Sequence, residues 1–288
     1  MKRLRKILTP LLILALASFV LAGCSSTPAT SDEGAKTDAG ATTETDKQET
    51  VVLKVGAAQV PHAEILEFIK PTLAEQGIEL EIIVPTDESS LNQQTENGEI
   101  DVNYFQHEPY LNSIVAEKKF DLVSVGGIHV EPIGAYSEKY ASKEELPENA
   151  VIAIPNDGTN EYRALVILEK NGFIKLKSTI DPVTTTVNDI ESYTKPIQIV
   201  ELDAGIIARS GDEFDAYITN TNRIIEAGID PNTNIFREGA DSPYANIIVV
   251  KSDRVDDPAV QALYAALTTE DVKKFIEEQY KGAVVPAF

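Results

Sequence analysis

The chain has 288 residues, 43% of them hydrophobic, with 25 Lys+Arg against 46 Asp+Glu and a formal net charge of −21. That hydrophobic content can build a sizeable core, which argues against global disorder, and the length allows one large or two modest domains. So acidic a body repels phosphate backbones and anionic headgroups, which excludes nucleic acid as a partner, and the single cysteine excludes an intramolecular disulfide or a cysteine-built zinc cluster.

In chain order, Lys2, Arg3, Arg5 and Lys6 precede an apolar run over residues 7–22 broken only by Thr9, Pro10 and Ser18. This is the charged and then apolar pattern of an export signal, too short for the ~20 residues of a spanning helix. Leu21-Ala22-Gly23-Cys24 follows and resembles a bacterial lipobox, in which the cysteine is lipidated and becomes the first mature residue. Residues 1–23 are therefore read as a lipoprotein signal peptide and Cys24 as the lipidation site, its diacylglyceryl group (palmitate-like chains) anchoring the protein to the extracytoplasmic face of the cell membrane. Residues 25–50 carry no aromatic or large aliphatic side chain and cannot offset their ordering entropy. With Cys24 they form a disordered tether, about 25–30 Å in r.m.s. span.

From residue 51 the pattern alternates between strands and helices. Residues 51–58 read as a strand. Ile65, Leu66, Ile69 and Leu73 share one helical face, with a kink or break predicted at Pro71. Strands are predicted at 78–84, 101–105 and 121–125, and helices at 90–98 and 107–119. In the second half, strands are predicted at 151–154, 197–201, 214–219 and 246–250. Helices are predicted at 159–171, 221–227, 258–267 and 270–280, with Gly172 and Gly228 as stops. Such alternation implies α/β architecture with parallel sheets, and so many short units fit two lobes with a ligand cleft between them.

Several phrases now stand together: Val60-Pro61-His62-Ala63-Glu64-Ile65-Leu66, Asp101-Val102-Asn103-Tyr104-Phe105-Gln106-His107, His129-Val130-Glu131-Pro132, Ile154-Pro155-Asn156-Asp157, Ser242-Pro243-Tyr244-Ala245-Asn246, and the ending from Lys281 to Phe288. The chain resembles the NlpA family, the methionine-binding lipoproteins of bacterial methionine ABC importers, from about residue 51 to the C-terminus. The resemblance implies a two-lobed type II periplasmic-binding-protein fold. Lobe one would comprise residues 51–131 and 242–288, and lobe two residues 132–241. It also implies that methionine or a close analogue is captured and delivered to the membrane permease of an ABC importer, with no cofactor and no catalytic residues.

A free amino acid needs a cation for its carboxylate, oxygen acceptors for its ammonium and a surface matched to its side chain. Arg163 is the candidate for the carboxylate, because a guanidinium makes two parallel charge-assisted bonds, although an exposed helix arginine also commonly forms only a surface ion pair. Asn160 lies one turn earlier on the same face. Asn220 stands where an asparagine can serve as a helix N-cap, and the family resemblance adds a role in holding the ligand's backbone. Tyr104, Phe105 and His107 cluster at a strand end, where aromatics suit a thioether. Alternation lets only one of Tyr104 and Phe105 face the ligand. His62, His107 and His129 occur singly, without HxH or HExxH spacing, so no metal centre is assigned.

The chain departs from the family pattern at Gly158, where proline is usual, at Tyr162, where a small residue is usual, and at Arg223, where tyrosine is common. These changes are expected to loosen the turn before the binding helix and to alter the side-chain pocket, toward a methionine derivative, a Met-containing dipeptide or another amino acid. The other classes weighed are a metal-binding lipoprotein and an adhesin-type surface protein. An enzyme fits least, because the lone cysteine is the acylation site and GxSxG is absent.

Overall fold

The computed structural model describes residues 50–239 and 242–288. Its strands are β1 (Val51–Ala57), β2 (Ile78–Ile83), β3 (Val102–His107), β4 (Leu122–Val130), β5 (Gly134–Tyr136), β6 (Ala150–Pro155), β7 (Ile174–Leu176), β8 (Ile190–Tyr193), β9 (Ile197–Leu202), β10 (Ala216–Thr219), β11 (Phe236–Arg237), β12 (Ala245–Lys251) and β13 (Val285–Pro286). Its α-helices are α1 (Glu64–Ala74), α2 (Leu91–Asn97), α3 (Glu108–Lys118), α4 (Gly158–Lys170), α5 (Ala204–Ile207), α6 (Thr221–Glu226), α7 (Pro258–Leu267) and α8 (Glu270–Tyr280). The signal peptide, Cys24 and nearly all of the tether lie outside the described residues. Among the described residues no helix is long and apolar enough to cross a membrane.

The strands form a six-stranded sheet in the order β13-β4-β12-β3-β1-β2 and a five-stranded sheet in the order β11-β5-β10-β6-β9, with β7 and β8 as a separate pair. Each large sheet organises one lobe. In the first, Leu53, Val55 and Ala57 of β1 are fully buried against Ile65, Leu66 and Leu73 of α1 and against Leu263 of α7. In the second, Ile152 and Ile154 of β6 and Ile218 of β10 pack on Ala164, Leu165 and Leu168 of α4.

The expectation of purely parallel sheets is corrected. β1 pairs in parallel with β2 and β3, and β6 with β9 and β10. β12, however, runs antiparallel to both β3 and β4. β5 likewise runs antiparallel to β10 and β11. The chain leaves the first sheet at the end of β4 and re-enters it from the second lobe as β12, and no local periodicity encodes the direction of that return. β4 also runs past the predicted 121–125 to Val130, which carries His129 to the lobe junction. α1 continues through Pro71 without a break, and the Pro71 carbonyl accepts a bond from the Glu75 N–H.

Candidate functional site

α4 is built to begin where it does. The Asp157 carboxylate accepts from the Asn160 N–H at 3.0 Å as an N-cap and also receives the Asn160 side-chain amide. Facing it from the first lobe, β3 ends at His107, whose Nδ1 accepts from the Tyr110 N–H at 3.2 Å and so caps α3. That bond places the imidazole proton on Nε2, which donates to Asn160 Oδ1 at 3.2 Å. Burial first, and then the Arg163 cation, hold the His107 pKa down at about 3, so the ring is neutral at physiological pH.

Asn160 Oδ1 also accepts from Arg163 Nη1 at 3.1 Å and from Asn220 Nδ2 at 3.3 Å. The amide oxygen of Asn160 thus gathers three other residues named from the sequence, across both lobes. Asn220 precedes α6, yet its side chain makes no capping bond, and the amide points to Asn160 instead.

Around this junction lies a cavity of about 780 Å3, bordered by Phe105, His107, Tyr110 and Glu131 from one side and Asn160, Asn220, Arg209 and Arg223 from the other. That volume falls within the ~300–1,000 Å3 of small-molecule sites. Phe105 faces the cavity, whereas Tyr104 is fully buried in lobe one with its hydroxyl on His129 Nδ1. Strand alternation separates the two aromatics as expected: of the pair named as ligand contacts, Phe105 borders the cavity and Tyr104 does not.

Arg163, expected to grip the ligand carboxylate, is placed behind the cavity wall and already paired. Its side chain is only 1% exposed, does not border the cavity, and forms a forked pair with Glu238, Nε to Oε1 at 3.0 Å and Nη2 to Oε2 at 2.6 Å. Nη2 further donates to the Glu131 carbonyl, and the guanidinium lies 4.3 Å over the Tyr244 ring. Arg163 therefore braces Asn160 from behind. The competing acid, Glu238, is 75 residues away in sequence, beyond any local motif.

Of the three departures, Arg223 borders the cavity and reaches across the cleft to Glu88, Nη2 to Oε2 at 2.6 Å, while Nη1 holds Glu226 at 3.1 Å. Tyr162 is half-buried and does not border the cavity. At Gly158 a Cβ would collide with the Val183 carbonyl oxygen, so glycine here admits the 178–189 segment against α4. Alanine at 158 gains ~0.5–1 kcal/mol of helix propensity but must displace backbone. Gly158→Ala is expected to lower the unfolding free energy by about 1–2 kcal/mol, read from urea midpoints.

Sequence reasoning missed Glu131, Asn246 and Glu88 as cavity residues, because each acquires its role from a distant segment. Glu131 Oε1 accepts from His129 Nε2 at 2.9 Å and lies 3.5 Å from His62 Nε2. His62 Nε2 is also 3.1 Å from Asn246 Oδ1. The ligand atoms of His62, His129 and Glu131 are close enough to share a metal ion. An ion would need bare Nε2 atoms, and His62 Nδ1, which has no partner, would then carry a buried unpaired proton. The hydrogen-bonded arrangement is the favoured one.

Beside the site, Glu161 of α4 accepts from the Val187 N–H at 2.8 Å. Burial, opposed by that bond and reinforced by Glu201, pushes its pKa up to about 7. A pKa raised above the unfolded value contributes stability below ~pH 4.5 that is lost as pH rises through about 7. Glu161→Gln, which keeps an acceptor oxygen, is expected to be more stable than wild type at pH 8, with the difference vanishing below about pH 4 in urea titrations.

The sequence matches the family described as NlpA lipoprotein over residues 53–288. It is 39% identical over 243 residues to the membrane lipoprotein TpN32 of Treponema pallidum (strain Nichols), covering 84% of this chain and 90% of that one. It is 36% identical over 248 residues to the methionine-binding lipoprotein MetQ of Bacillus subtilis (strain 168), covering 84% and 89%. Among solved structures, a nutrient-binding protein from Burkholderia cenocepacia bound to methionine superposes with a TM-score of 0.79 at 38% identity, covering 82% of this chain and 100% of that one. The fold is that of periplasmic substrate-binding proteins, and the chain belongs to the NlpA lipoprotein family.

Proposed function

We propose that the protein is a lipid-anchored extracytoplasmic solute-binding protein that captures L-methionine or a close analogue and delivers it to the permease of an ABC importer. The observation that carries this reading is the convergence of His107 from one lobe and Asn220 from the other on Asn160 Oδ1 at the cavity wall. His107 Nε2–H and Asn220 Nδ2 are donors that a ligand carboxylate can take over from that oxygen, so an occupant touches both lobes and favours their closed arrangement. Phe105, Tyr110, Val84 and Pro85 supply apolar and aromatic surface suited to a thioether. The similarity to MetQ and to the methionine-bound Burkholderia protein supports the same ligand class. Lobe boundaries at 51–131 with 242–288, and 132–241, fit the sheets, whose strands fall within those spans. Acylation at Cys24 would anchor the body.

Isothermal titration with L-methionine tests the reading, with Asn160→Ala expected to weaken binding by roughly 10–100-fold, since it removes the group on which both lobes meet. No heat from methionine or any amino acid would overturn it. A Met-containing dipeptide is a second reading, favoured by the cavity's reach to Arg209 and Arg223, of which Arg209 pairs with no acid among the described residues. Including dipeptides in the titration separates the two.

A further inference from the structure

Asn103 and Gln106 stand three apart on β3, where strict alternation would send them to opposite faces. The ladder with β12 slips between them. Ile247 pairs with Gln106 and Ile248 with Tyr104, so Phe105 is the extra residue of a bulge. With that slip both amides come to the face covered by α2, while Phe105 borders the cavity.

Under α2 they meet Asn92 and Thr95, and all four side chains are at most 4% exposed. Gln106 Nε2 donates to Asn92 Oδ1 at 2.6 Å and to Asn103 Oδ1 at 2.8 Å, and Asn92 Nδ2 returns a bond to Gln106 Oε1 at 2.9 Å. Asn103 Nδ2 donates to Asn92 Oδ1 at 3.1 Å and to Thr95 Oγ1 at 2.7 Å. The threonine hydroxyl in turn donates to the Leu91 carbonyl at 2.8 Å. Every side-chain nitrogen and oxygen of the four has a partner, the condition under which a buried polar network stiffens a fold. Apolar side chains would also join α2 to β3, but only directional bonds fix one height of the helix on the strand.

What that height positions lies at the cavity. A single 3-10 turn over Glu88–Ser90 runs directly into α2. Gln94 Nε2 of α2 donates to Ser90 Oγ at 3.1 Å, Ser90 Oγ to the Asp87 carbonyl at 2.8 Å, and the Ser89 N–H to Asp87 Oδ1 at 3.0 Å. The loop is thereby a stiff extension of the helix. Residues 84–89 form cavity wall, and Glu88 meets Arg223 across the cleft. Gln106, at the other end of the network, borders the same cavity.

We propose that Asn92, Thr95, Asn103 and Gln106 are positioning residues for closure, setting the height of α2 on β3 so that Glu88 meets Arg223 as the lobes shut on a ligand. The four act through that cross-cleft pair and need no ligand contact of their own. This role rests on the solute-binding reading of the cleft.

The test is calorimetric titration of the full chain with L-methionine, in wild type and in an Arg223→Ala background. Asn92→Leu keeps roughly the same shape and removes the hub of the network. It is expected to weaken binding about 5–10-fold where Arg223 is present, and less than about twofold in the Arg223→Ala background, where the bond it positions is already gone. Thr95→Val removes only a hydroxyl and is expected to weaken binding about 3–5-fold, with the same dependence on Arg223. Thr95→Ser restores the hydroxyl and is expected to bind within about 1.5-fold of wild type. The Thr95 variants decide the matter if Asn92→Leu does not fold. Equal weakening in both backgrounds, or unchanged affinity in Thr95→Val beside a lowered urea midpoint, overturns the proposal and leaves the solute-binding reading intact. Wild type that binds no amino acid or dipeptide overturns both.

Discussion

Arg163→Ala is expected to cost about 3–5 kcal/mol of folding stability, because it leaves the nearly buried Glu238 carboxylate without its forked partner. The same change strips a donor from Asn160 Oδ1, another from the Glu131 carbonyl, and a cation from the Tyr244 face. Ligand affinity should fall as well, but as a consequence of the lost brace. Urea unfolding beside calorimetry separates the alternatives. A variant with nearly wild-type stability and abolished binding would mean that the guanidinium grips the ligand and that Glu238 is dispensable to it. Glu238→Gln provides the converse. It keeps the shape, removes the countercharge, and should destabilise the same lobe without touching the cavity.

Arg223→Ala is expected to loosen the closed arrangement of the lobes. Its pairs with Glu88 and Glu226 are mostly sheltered, with side chains 24%, 12% and 16% exposed. Exposed pairs contribute only ~0.2–1 kcal/mol, whereas sheltered pairs across an interface couple more strongly. A coupling of about 1–2 kcal/mol between residues 88 and 223 is expected from the double-mutant cycle with Glu88→Gln, or roughly 5–30-fold in the balance of closed to open forms. Fluorescence transfer between labels on the two lobes would read that balance directly. Raising the salt from 0.05 to 0.5 M should mimic part of the effect in wild type and little of it in Arg223→Ala. A cycle with no coupling would leave Arg223 as part of the pocket wall only. In either case the arginine that replaces the family's usual tyrosine is turned into the cleft and bonded across it, so the expectation that it points at or near the ligand pocket fits its position.

The helices were the most legible part of the chain. The runs predicted at 258–267 and 270–280 coincide with α7 and α8, and that at 159–171 differs from α4 by one residue at each end. Caps and hydrophobic period act within a turn or two, so the residues that define these elements are neighbours in sequence. The short strands β5, β7, β8, β11 and β13 went unread, since segments of two to four residues carry too little alternation to register. Phe105, His107, Asn160 and Asn220 were found at the cavity because they sit at strand ends and helix starts, which α/β chains turn toward the cleft between lobes.

By itself the sequence determined the export and lipidation signature, the α/β alternation, and the family with its expected ligand class. Only the tertiary structure decided that β12 returns antiparallel, that Arg163 is taken by Glu238, that Glu131 is enclosed by His62 and His129, and that Arg223 spans to Glu88. The reason is range. A charge finds its partner by the path of the chain through space, and the pairs that matter here lie as far apart as 75 and 135 residues, where no periodic pattern reaches.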